Sequence, residues 1–76
     1  MKDLLLFLLQ NIVEHPQDIA VEEQEEEGQI NLNLQANPED IKIIIGKNGR
    51  TIKALRELLK IKAIKEKKKV NLNLNQ

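Results

Sequence analysis

Seventy-six residues, no cysteine and a single aromatic side chain, Phe7, limit the chain to one small domain held by aliphatic packing, without disulfides or a cysteine-based metal centre. The 12 basic and 12 acidic side chains cancel, yet residues 1–40 hold ten acids and one base whereas residues 41–76 hold eleven bases and two acids. The acidic half repels nucleic acid and the basic half attracts it, while the apolar run from Leu4 to Leu9 is too short to span a membrane and lacks a cleavage-site pattern after it.

Over residues 2–14 the apolar positions Leu5, Leu8, Leu9, Ile12 and Val13 recur at helical spacing, with Asp3 near the start and His15-Pro16 at the end. This predicts a buried helix, with Phe7 as the one aromatic of the interior. His15 has no second histidine or cysteine with which to share a metal and reads as a helix-end residue. Residues 18–27 predict a strand that is apolar at Ile19 and Val21 and then acidic. Its glutamates read as a solvated strand that discourages edge-to-edge pairing, since alternating faces and the lack of a glycine-bearing loop argue against a calcium site. Gly28 turns the chain into "QINLNLQ", where Ile30, Leu32 and Leu34 alternate with Asn31 and Asn33, so the two strands form a hairpin.

Asn37 followed by Pro38, Glu39 and Asp40 has the marks of a helix start: a capping side chain, a proline at the first helical position, and two acids at the positive end of the dipole. That helix is short and ends at Gly46. A longer one is predicted from about Gly49 to Lys65, followed by the half-buried strand "KVNLNLN" with Val70, Leu72 and Leu74 inward and its asparagines on the open face. The lysines at 65 and 67–69 read as a solvated helix end that adds to the positive field.

Between the two helices stands Gly46-Lys47-Asn48-Gly49. Glycine within a helix costs about 1 kcal/mol relative to alanine, so two of them three apart supply a backbone path closed to other residues. The result is a tight turn that exposes amides at the start of the longer helix, with Lys47, Arg50 and Lys53 beside it. Spacing alone fits either a plain helix–helix corner or an anion-binding turn. On the longer helix, Ile52, Leu55, Leu59 and Ala63 share a sheet-facing side with Leu58 at its margin, whereas Ala54, Ile61 and Ile64 fall roughly opposite. Ile61 is therefore either covered by the first helix or part of a patch that meets another chain. No nucleophile–base pair or metal cluster is present, and Asn48 after Lys47 departs from a Walker loop. The sequence thus carries no catalytic residue, metal ligand or cofactor site.

A Gly-x-x-Gly loop joining two helices, written here as "IIIGKNGRTIKAL", resembles the KH RNA-binding domain, and the preceding helix and strand resemble its type II arrangement. The likeness spans residues 1–76 as a single KH domain and is similar to the small bacterial single-KH proteins of the KhpA (YlqC-like) family. It implies an α+β fold of order α-β-β-α-α-β, with helices packed on one face of a three-stranded sheet. It also implies a cytoplasmic, non-enzymatic protein that grips single-stranded RNA as an RNA chaperone or post-transcriptional regulator. Gly46, Lys47, Asn48 and Gly49 would hold the backbone of about four nucleotides, Ile45 and Ile52 would flank an apolar groove, and Arg50 and Lys53 would steer phosphate. Self-association, or pairing with a larger KH-containing partner, would use Ala54, Ile61 and Ile64. An adaptor acting mainly through that dimerisation is the alternative function. Single-stranded DNA stays open as a ligand, because nothing in the sequence shows how a 2′-hydroxyl would be read.

Overall fold

A computed structural model describes residues 1–75; Gln76, the last residue of the expected domain, lies outside them. The elements are α1 (Lys2–Gln10), β1 (Ala20–Glu26), β2 (Gln29–Gln35), α2 (Pro38–Ile45), α3 (Arg50–Lys65) and β3 (Lys69–Leu74), with single 3-10 turns at Pro16–Asp18 and Lys47–Gly49. This is the expected α-β-β-α-α-β order. The sheet runs β1-β2-β3. β1 and β2 pair antiparallel from Ala20↔Gln35 to Glu26↔Gln29, and Glu27 and Gly28, at φ 51° and 78°, make the two-residue turn that matches strand twist. β2 and β3 pair in parallel from Gln29↔Lys69 to Leu34↔Leu74. A parallel pair needs a crossover, and α2 with α3 supplies it.

One face of the sheet carries the core. Ile30, Leu32 and Leu34 of β2 and Leu72 of β3 meet Leu5 and Leu9 of α1, Ile44 of α2, and Ile52, Leu55 and Leu59 of α3, all buried. Burial of an aliphatic side chain of this size contributes about 1.5–3 kcal/mol, so this one cluster supplies most of the driving force for the fold. The opposite face is polar: Asn71 donates to Asn31 and Asn73 to Asn33, each at 3.2 Å, in two cross-strand amide pairs.

Three expectations need correction. The first helix stops at Gln10 rather than 14, because the Asn11 side chain donates to the Phe7 carbonyl at 2.8 Å and the amides of Ile12 and Val13 both turn back to Leu9. The amides of Glu14 and His15 are then held by the Asp40 carboxylate at 3.0 and 2.9 Å, and β1 starts only at Ala20. Phe7 is not interior but 60% exposed. Apolar side chains occupy every position from 4 to 9, and a single helix can turn only one face to the sheet; Leu5 and Leu9, four apart, take it. The acidic strand is also more than a solvated edge, since Glu23 accepts the Lys2 amide at 2.8 Å and so caps the start of α1.

Candidate nucleic-acid interface

α2 is started by Asn37, whose side chain accepts the Glu39 amide at 2.9 Å, and is closed by the Gly46 amide donating to the Lys42 carbonyl at 2.9 Å. Gly46 then adopts φ 77°, ψ 173°, a region open in practice only to glycine. A β-carbon there would lie against the Thr51 side chain and 2.8 Å from the Thr51 backbone nitrogen, so the glycine also answers a close approach of α3. Asn48, at φ 57°, and Gly49, at φ 75°, continue the left-handed path, and the Gly49 amide bonds back to the Gly46 carbonyl at 3.1 Å. Asparagine tolerates this conformation better than most residues. A β-carbon at Gly49 would meet nothing within 4 Å, so backbone conformation alone favours glycine there.

The sequence-assigned residues converge on this turn. Lys47, Asn48, Arg50 and Lys53 are exposed, and Gly46 and Gly49 are half-buried. Ile45, the last residue of α2, packs half-buried against the core, while Ile52 is buried in it and anchors the first turn of α3. Lys47, Arg50 and Lys53 have no ion-pair partner among the described residues. The turn thus presents a backbone without side chains at two positions, ringed by free cations, which suits the approach of a phosphate chain.

Beyond the turn, α3 and β3 enclose a groove lined by Arg56, Leu59, Lys60, Val70 and Leu72 among others. The amides of Lys69 and Asn75 point towards β2, donating to the carbonyls of Gly28 and Leu34 at 2.9 Å. By strand alternation, Val70, Leu72 and Leu74 turn their peptide groups to the free edge, and Arg56 donates to the Leu72 carbonyl there at 3.2 Å. Arg56 and Lys60 escaped the reading of the sequence. Their signal was available, since Lys53, Arg56 and Lys60 fall within an arc of about 60° on a 3.6-residue helix.

The outer side of α3 is apolar and open. Ile61 is 54% and Ile64 62% exposed, so α1 does not cover them. Leu58 joins Ile61 in a shallow depression with Lys62 and Lys65, whereas Ile64 borders a separate cleft beside β3, and Ala54 is exposed nearer the turn. His15 is not an isolated helix-end residue: its Nε2 lies 3.0 Å from Glu39 Oε2, and with Glu14 the three donor groups fall within 4.8 Å of one another. No helix among the described residues is long and apolar enough to cross a membrane.

Comparison with known proteins agrees with this geometry. The sequence profile described as "KhpA/KhpB, KH domain" matches residues 2–74. The chain is 44% identical to the RNA-binding protein KhpA of Clostridium perfringens, over 92% of this chain and 93% of that protein. It is 36% identical to the KhpA of Halalkalibacterium halodurans over 97% of both chains. To the KhpA of Thermotoga maritima it is 48% identical, over 78% of this chain and 79% of the relative.

Proposed function

Because the chain belongs to the KhpA/KhpB KH-domain family, we propose that it binds single-stranded RNA, gripping the backbone with the Gly46–Gly49 turn and laying bases along the groove between α3 and β3. The observation that carries this reading is the strained path of the turn beside three unpaired cations, Lys47, Arg50 and Lys53. Phosphates run past Gly46 and Gly49, where no side chain intervenes, and Lys47 and Asn48 lie at the apex. Ile45 and Ile52 support the near end of the groove. With no aromatic at the groove, bases rest on aliphatic side chains and find peptide groups along the free edge of β3, so affinity per domain is modest. Such grip without catalysis suits an RNA chaperone or post-transcriptional regulator in the cytoplasm.

The pair Lys47→Asp and Asn48→Asp tests this. Both side chains are exposed, and aspartate tolerates the left-handed conformation of position 48, so the fold should survive while two carboxylates face the phosphates. Loss of binding to an unstructured oligonucleotide with an unchanged circular-dichroism spectrum is expected. Unchanged affinity would remove the turn from the mechanism.

A second reading, a protein-interaction adaptor, is favoured by the open apolar side of α3. Ala54 and Ile61, extended by Leu58 and bordered by Ile64, would pair with a second copy or with a larger KH-containing chain. Ile61→Glu should then give a monomer in sedimentation with its thermal unfolding unchanged. A wild type that is itself monomeric and that captures no KH-containing partner would remove the adaptor reading.

A further inference from the structure

We infer that the RNA footprint does not end in the α3–β3 groove but continues into a second phosphate-binding cleft at the far end of α3, formed by Lys60, Lys67 and Lys69. This rests on the RNA-binding reading above and extends it. The cleft lies between the last turns of α3, the β1–β2 turn and the start of β3. It is continuous with the groove, since Lys60, Val70 and Asn71 line both. Lys53, Arg56 and Lys60 lead from the Gly-x-x-Gly turn to it along one side of α3.

The cleft is cationic on a fixed frame. Lys67 holds φ 59°, the Lys68 amide donates to the Ala63 carbonyl at 2.8 Å, and the Lys69 amide donates to the Gly28 carbonyl at 2.9 Å. Lys68 is engaged elsewhere: its Nζ lies 2.9 Å from Glu25 Oε2, and that hydrogen bond leads the causes that raise its pKa. This pairing ties the loop across the lower edge of the sheet. Lys60, Lys67 and Lys69 have no ion-pair partner among the described residues, and Glu27 is the one acid bordering the cleft. Three free ammonium groups around one carboxylate leave a net attraction for a polyanion.

Distance makes this a separate contact. At about 1.5 Å per residue, the 16 residues of α3 place the cleft roughly 24 Å from the turn. A stacked strand advances about 3.4 Å per nucleotide, so roughly seven nucleotides reach it, against about four held by a Gly-x-x-Gly loop.

The test compares oligouridylates of four and ten nucleotides on the whole chain, by anisotropy and by amide shifts. The ten-mer should bind about tenfold tighter and move the amides of Lys67 and Lys69. The triple variant Lys60→Gln, Lys67→Gln, Lys69→Gln should lose that gain, with the four-mer unaffected. Its salt slope for the ten-mer should fall by about two, at roughly 0.7 per phosphate contact. Glu27→Gln should act in the opposite sense and tighten the ten-mer. If the two lengths bind alike and the triple variant is silent, the cleft takes no part while the turn's role stands. If the triple variant weakens both lengths equally, the lysines act only as a diffuse field and the second site is overturned. A decaglutamate peptide that shifts the same amides with equal affinity would reassign the cleft to an acidic protein. Failure of both lengths to bind would overturn the RNA reading together with its extension.

Discussion

Gly46 and Gly49 sit three residues apart and look equivalent in sequence, yet they answer different demands. Gly46 combines a glycine-only conformation with a backbone nitrogen of Thr51 2.8 Å from where its β-carbon would stand. Gly49 faces open space and pays only for a left-handed conformation. Gly49→Ala should therefore cost about 1–2 kcal/mol. Gly46→Ala should cost more, because conformational strain of about 1–3 kcal/mol is joined by a clash that flexible side-chain motion cannot relieve. Chemical denaturation of the two variants measures the difference, and equal losses would contradict the close packing of Gly46 on Thr51. Asn48 shows the same economy: it supplies a positive φ without a third glycine and keeps a polar side chain at the apex.

Among the elements, the connection between α1 and β1 is held by a residue that local pattern assigns elsewhere. Asp40 is fully buried in the first turn of α2, and its carboxylate accepts the amides of Glu14 and His15. Next to it, Glu39 meets the His15 ring, so the segment after α1 is pinned to the start of α2 by two successive acids. The hydrogen bond to Glu39 is the main cause that raises the His15 pKa above 6.5; partial burial opposes it, and the charges of Asp40, Glu39 and Asp18 add to it. A raised folded-state pKa means that the pair's stabilisation is fully present below the unfolded value of 6.5 and is lost as pH rises through the folded one. NMR titration of this sole imidazole should give a midpoint above 6.5, and Glu39→Gln should bring it down. The stability gap between wild type and Glu39→Gln should be present at acidic pH and vanish at alkaline pH. A wild-type midpoint at or below 6.5 would show that the contact does not form in solution.

At the scale of the whole molecule, net neutrality conceals a division of labour between two edges of one sheet. β1 carries the glutamates on one edge, and β3 with α3 carries the cations on the other. A strand of RNA held at the turn by two or three phosphate contacts should bind with a salt slope of about −0.7 per contact, hence roughly a seven- to twentyfold loss between 50 and 200 mM salt. Short oligonucleotides test this value, and a steeper slope with longer ones belongs to the lysine cleft. The groove admits one strand along the free edge of β3, so an unstructured oligonucleotide should bind more tightly than a blunt duplex. The reverse order would overturn the groove as the site of bases.

Much of this was legible in the one-dimensional pattern. The alternation Ile30, Leu32, Leu34, the cap and proline at Asn37-Pro38, the side of α3 bearing Leu55 and Leu59, and the glycines of the turn all rest on local periodicity or on dihedral freedom. Those properties belong to short stretches of chain, so the order of elements and the position of the candidate site followed from them. The tertiary structure decided what depends on residues distant in sequence. It made β2 and β3 parallel neighbours, because the α2–α3 crossover returns the chain in the same direction. It buried Asp40, whose two amide partners lie 25 and 26 residues away. It turned Phe7 and Ile61 outward, since each helix has one face for a single shared core and an all-apolar stretch does not say which residues will win it. It also gathered Lys60, Lys67 and Lys69 around one cleft and drew Lys68 away to Glu25, 43 residues distant. A run of like charges has no period from which such a sorting could be read.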